Sequence, residues 1–309
     1  MNRRLPLDRR PHAARWLAVA LALATVPAVA APRAVDERRP ADPRGSVEIV
    51  NVAGRVEVQG WDRPEVHVTG RLGEGVERLE IATQGTRTTV RVVLPKGRDW
   101  DRDGDAELVV RMPGTAGLAA SLVSADLTTR AVLGEQRLQT VSGGIRAELG
   151  REARLRSVSG DVDATRNAAV RGDGRVEIET VSGNVELAGV DGEVEVSSVS
   201  GDTRVRAGRL AAGRFETVSG DFEVTTALTA DGRLDAESVS GDLRLVFPGS
   251  PPAAEYEIET FSGEVDNCFG PKPATERYGP GVRLSFREGA GSARVRADTK
   301  SGDVSICNR

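Results

Sequence analysis

The sequence predicts an all-β chain: a β-solenoid, a β-helix-like stack of coils of about 20 residues each, preceded by an irregular β region. Two observations carry this. A phrase of Ser or Thr, then Val, then Ser-Gly recurs from Thr140 onward, with Phe261 and Lys300 replacing the valine in the last two copies. Apolar and polar residues alternate on both sides of it, as half-buried strands require.

The repeat glycines are Gly143, Gly160, Gly183, Gly201, Gly220, Gly241, Gly263 and Gly302, at spacings of 17, 23, 18, 19, 21, 22 and 39 residues. Five residues before each stands an apolar side chain, among them Leu138, Ile178 and Phe215. Two residues after come Ile145, Val162, Val185, Thr203, Phe222, Leu243, Val265 and Val304. The inward parity therefore flips at the glycine, which reads as a corner that re-aims the later side chains. The hydroxyl three before each glycine (Thr140, Ser157, Thr180, Ser198, Thr217, Ser238, Thr260, Thr299) points inward. Stacked about 4.8 Å apart, these hydroxyls are expected to satisfy one another in a ladder. Outward charges three after the glycine alternate in part, with Arg204 between Glu186 and Glu223, as stacked strands prefer.

Residues 1–30 read as an export signal: Arg3, Arg4, Arg9, Arg10 and Arg15, an apolar run from Leu17 to Val26, and Ala28-Val29-Ala30 as cleavage site. The run is too short to span a bilayer stably, so no membrane span is expected after cleavage. Residues 31–44 lack periodicity and read as a flexible leader, 45–120 as an N-terminal β region, and 121–309 as the solenoid repeats. The segment around Ser124 looks like a degenerate first copy. Beyond the signal, 37 basic side chains face 45 acidic ones. That balance argues against nucleic acid or anionic lipid as partner, and aromatics at 4% argue against a sugar-stacking groove.

Cys268 and Cys307 each stand five residues after a repeat glycine. A disulfide needs Cα atoms about 4.4–6.8 Å apart, which equivalent positions in adjacent coils satisfy and positions two coils apart do not. A disulfide therefore makes the 39-residue gap one coil with a long excursion over residues 271–291, and staples a last coil that has no neighbour beyond it. Export compartments favour such a bond.

Catalytic residue types are sparse. His67 is the one histidine beyond the signal and reads as a surface strand residue, and the phrase serines have no adjacent base. No enzymatic activity and no cofactor are expected. Asp99, Asp101, Asp103, Asp105 and Glu107 surround Gly104 in the pattern of a calcium loop's first half. Val110 stands where the bidentate Glu belongs, so a solvated acidic hairpin is the competing reading. The column Asp161, Asn184, Asp202, Asp221, Asp242, Glu264 and Asp303 reads as local turn hydrogen bonds, with a shared cation as the rival.

The opening GSVEIVNVAGRVEVQGWD and the serial TVSGD and SVSGD phrases resemble a bacterial β-strand-repeat family of unknown function whose members are described as adhesins. The resemblance covers roughly Gly45 to Cys307 and implies an exported all-β scaffold; it brings no catalytic residues. The expected function is an exported binding surface, an adhesin or surface-interaction module, in the periplasm or at the cell surface, with an envelope or surface protein as partner. A periplasmic envelope-homeostasis scaffold or sensor partnering a membrane protein is the alternative, and a polysaccharide-active enzyme the third reading.

Overall fold

The computed structural model describes residues 33–95, 104–275 and 281–308. Its described elements are all strands. Each phrase interrupts a strand at Ser-Gly and inverts the burial parity: Thr180 is buried, Val181 and Ser182 are exposed, and Val185 and Leu187 are buried again.

Successive copies pair in parallel, like on like. One inward column runs Leu138, Leu155, Ile178, Val196, Phe215, Ala236. A second runs Ile145, Val162, Val185, Thr203, Phe222, Leu243. All of these side chains are almost wholly buried, so each copy closes the apolar faces of its neighbours.

Space and sequence part company at the end of the chain. The last copy, strands Ala293–Ser301 and Val304–Cys307, does not follow the Gly263 copy outward. Val295 pairs with Leu234 on one side and Tyr256 on the other. Val304 lies likewise between Leu243 and Val265. The spatial order is thus Gly241, Gly302, Gly263, and the expected terminal coil is an interior layer. The excursion explains how this is reached. Its strand Val282–Arg287 runs antiparallel along Ala254–Ser262, and Phe286 stacks on Tyr256 with ring centroids 4.7 Å apart. Only after covering that outer edge does the chain return to fill the gap.

The other end mirrors this arrangement. Ser46–Trp61, the first long strand, lies between Gly117–Arg130 and a layer built from Arg87–Val93 and Asp105–Pro113. Val56 pairs with Leu127 on one side and Leu108 on the other. Residues 45–120 therefore continue the parallel layering, and the expected boundary at 120/121 falls inside Gly117–Arg130. Antiparallel strands cover the outer layer: Arg78–Gln84 on Arg87–Val93 and Glu65–Leu72 on Asp105–Pro113. Covered edges prevent edge-to-edge association.

The expected flexible leader contains the strand Arg33–Pro40, antiparallel to Glu65–Leu72. Its side chains are mostly exposed, so the strand is held by its backbone ladder, without an apolar alternation to announce it. His67 is buried, contrary to the expected surface position. Its Nε2 lies 2.7 Å from Asp36 Oδ1, and its ring stacks on Trp61.

Candidate functional site

The alternation that buries the phrase's hydroxyl turns the next side chain outward. Val123, Val141, Val158, Val181, Val199, Val218 and Val239 are 42–51% exposed, and Phe261 is 58% exposed. Stacking places them in one solvent-facing column across the layers, interrupted before Phe261 by Lys300. Single exposed apolar residues are ordinary on a protein surface; a contiguous apolar file is not.

Two residues before each valine lies a second outward column: Ser121, Gln139, Arg156, Glu179, Ser197, Glu216, in register by backbone pairing. It continues as Glu237, Asp298 and Glu259. Between the columns runs an open groove of about 650 Å³, bounded by Val141, Val158, Val181, Val199 and Val218. Its charged lining is Arg156, Glu177, Glu179, Glu195 and Glu216, a net charge of −3. Arg156 meets Glu179 at 2.8 Å, and Arg154 meets Glu177 at 2.5 Å. Partial burial raises the Glu177 carboxyl, and hydrogen bonds from Arg154 and with Glu179, with the nearby charges of Arg154 and Arg156, hold the group below the usual range. The groove was readable from the alternation alone, because an apolar residue at an outward position breaks the pattern.

The acidic column beyond the glycine is not a set of local turns. The N–H of Asn184 donates to Asp161 Oδ1 at 2.8 Å, that of Asp202 to Asn184 Oδ1 at 3.0 Å, and that of Asp221 to Asp202 Oδ1 at 3.2 Å. Asp242, Asp303 and Glu264 continue the file across the next layers. Each side chain thus binds the corner of the next copy. That Asn184 serves as well as Asp shows the position asks for an oxygen acceptor rather than a charge.

The inward hydroxyls do not satisfy one another. Thr140 Oγ1 accepts the N–H of Gly143, and Ser157 Oγ accepts that of Gly160. From Gly183 to Gly241 the corner glycines have positive φ and donate instead to a serine carbonyl: Gly183 to Ser200, Gly201 to Ser219, Gly220 to Ser240, Gly241 to Ser301. The corresponding hydroxyls, Thr180, Ser198, Thr217 and Ser238, are buried with no hydrogen-bond partner. The corner's φ thus decides whether its N–H turns in to the hydroxyl or across to the next layer.

Cys268 and Cys307 form a disulfide with Cα atoms 4.9 Å apart. The bond joins the inserted last copy to the Gly263 copy. Asp266 lies beside both sulfurs, and their bond to each other leaves no thiolate for a metal. Of the acidic loop, Asp99, Asp101 and Asp103 lie outside the described residues. Asp105 and Glu107 are exposed at the start of Asp105–Pro113, where Glu107 accepts a hydrogen bond from Arg71 at 3.0 Å. No helix among the described residues is long and apolar enough to cross a membrane.

Parallel in-register layers, glycine corners and a solvent-facing apolar file define an all-β repeat protein of the stacked type. The chain belongs to the Toastrack DUF4097 family, whose model matches residues 53–307. No curated protein matches it. Among solved structures it is similar to a candidate adhesin from Bacteroides fragilis NCTC 9343, at 10% identity over 90% of this chain and 97% of that one, with a TM-score of 0.33. A candidate adhesin from Parabacteroides merdae ATCC 43184 has 9% identity over 89% and 96% of the two chains, TM-score 0.30. A candidate lipid-binding protein from Parabacteroides distasonis ATCC 8503 has 12% identity over 87% and 96%, TM-score 0.33.

Proposed function

We propose that this protein is an exported, non-enzymatic β-solenoid that presents an extended binding surface, an adhesin or surface-interaction module. The observation that carries the reading is the valine column with its groove. Strand propensity and valine–valine contacts between layers favour valine at these positions, and a contiguous exposed apolar file running through the layers also marks a contact surface. Repeat stacks suit this use because each copy adds similar area to one continuous face. The solenoid reading is supported by the two inward columns and the glycine corners joining them. Export is supported by the signal pattern of residues 1–30 and by a disulfide, which persists in oxidising compartments.

The test compares a deletion strain complemented with the natural chain or with Val181→Ser/Val199→Ser/Val218→Ser. Attachment of whole cells to solid surfaces is expected to fall on deletion, to return with the natural chain and to stay low with the variant at equal protein level. Unchanged attachment on deletion overturns adhesion. Protease digestion of intact cells locates the protein: digestion supports the surface module, and protection until the outer membrane is permeabilised turns the reading toward a periplasmic scaffold.

A further inference from the structure

We propose that the valine face closes on a second copy of this chain. The two stacks lie side by side and point the same way, each copy's valine file seated in the other's groove. The proposal rests on the reading of that face as a contact surface and names what it contacts.

The first observation is the profile of the face. The valine file is a ridge, and the groove runs directly beside it, between the valines and the outward column two residues earlier. A ridge and a groove set side by side are complementary to themselves under a two-fold rotation about an axis along the stack, as an isologous contact requires. Rotation about an axis across the stack sets ridge on ridge instead. The pair is therefore parallel, and each layer meets the same layer of its partner.

Period points the same way. Layers rise about 4.8 Å each, and a second copy has that rise at every step, so the two files stay in phase over their whole length. Seating ridge in groove also carries each outward column over the other copy's phrase serines. Ser182 and Ser219 are exposed, level with the partner's Glu179 and Glu216, and supply hydroxyl donors to those carboxylates.

Charge permits the contact. Each groove glutamate is met by an arginine of its own chain: Glu177 by Arg154 at 2.5 Å, Glu179 by Arg156 at 2.8 Å, Glu195 by Arg175 at 3.8 Å, and Glu216 by Arg214. Counted with Arg154, Arg175 and Arg214, the lining's net charge of −3 becomes zero. A neutral face meets its own copy without the like-charge penalty that two acidic or two basic faces incur.

The area is sufficient. The file has one residue per layer, seven exposed valines followed by Lys300 and Phe261. Lys300 turns to Asp298 of its own layer at 3.6 Å. Those layers give a length of about 43 Å, and the four residues from the outward column to the serine give a width of about 13 Å. The footprint of about 560 Å² per copy, about 1,100 Å² for the pair, clears the roughly 1,000 Å² that a specific interface needs.

The test is sedimentation equilibrium of the natural chain without its first 30 residues, over a range of concentrations. A reversible monomer–dimer equilibrium is expected. Val181→Ser/Val199→Ser, with unchanged melting, is expected to weaken it by about tenfold or more, because each change counts twice in a symmetric pair. A monomer at every concentration into the millimolar range overturns the proposal, as does a dimer that the valine variant leaves intact. Val158→Cys and Val239→Cys, prepared separately and mildly oxidised, are each expected to cross-link to their own kind. Cross-links that form only when the two variants are mixed show an antiparallel pair and overturn the parallel seating. A monomeric chain whose valine variant still loses attachment removes the pairing and keeps the contact-surface reading. A valine-dependent dimer with attachment unchanged on deletion keeps the pairing and removes adhesion.

Discussion

Asp221 Oδ1 accepts the backbone N–H of Asp242 at 2.9 Å. One layer thereby holds the corner of the next through a side chain, in addition to the backbone ladder. The bond needs a single oxygen. Asp221→Asn is therefore expected to melt within about 0.5 kcal/mol of the natural chain, as a surface substitution that keeps its acceptor does. Asp221→Ala is expected to lose about 1 kcal/mol. Urea unfolding of the two variants checks this, and equal loss in both would show that charge matters there.

The unpartnered hydroxyls make the opposite sort of forecast. Thr217 Oγ1 is buried without a partner, so Thr217→Val removes a desolvated polar atom while keeping the side chain's shape. It is expected to leave stability unchanged or raise it by about 1 kcal/mol. Thr140 accepts from Gly143, and Thr140→Val is expected to cost about 1 kcal/mol. Thermal melting of the pair separates them by sign.

Gly220 has φ +124°, and a Cβ there would stand 2.3 Å from the carbonyl oxygen of Gly201. Gly220→Ala is expected to destabilise by more than about 2 kcal/mol, combining backbone strain and overpacking. Gly85 has φ +59° with open space around it, so Gly85→Ala is expected to cost only about 1 kcal/mol. Comparable losses in chemical denaturation would show that the corners do not depend on close backbone approach.

The disulfide closes 39 residues of sequence. On the chain-entropy account Cys307→Ser is expected to cost up to about 4 kcal/mol, read as a lower denaturation midpoint that reductant reproduces in the natural chain. Peptide mapping without reductant is expected to find the two cysteine peptides linked. Two alkylatable thiols in the native protein would contradict the pairing.

The central layers were legible in the sequence because their signal is local. Burial of Phe215 and Ile178, the flip at Gly183 and the Cys268–Cys307 pairing all follow from position within one repeat. The order of the layers was not legible, because the Gly302 copy offers the same apolar columns to either neighbour and only the excursion's strand Val282–Arg287 decides where it goes. The strand Arg33–Pro40 was hidden for another reason: backbone bonds and scattered side-chain contacts hold it, among them Asp36 with His67, Arg33 with the Glu77 carbonyl and Val35 against the core, and none leaves a periodic trace. Of the candidate site, the valines stood in plain view as part of the phrase. Their meaning required asking which way the residue after an inward hydroxyl must face.

The layer placed second from one end is Ser46–Trp61, early among the described residues, and the layer second from the other is the last copy, Ala293–Ser301 with Val304–Cys307. A copy placed after the Gly302 repeat does not simply extend the stack in space, since that repeat already lies between the Gly241 and Gly263 copies. A duplicated repeat finds room only among the uniform copies between Gly143 and Gly241, where it meets identical neighbours above and below. The two ends act as fixed bookends. The reach of the binding face is thus set by how many interchangeable units stand between them, a quantity that gene duplication can alter without redesigning either closure.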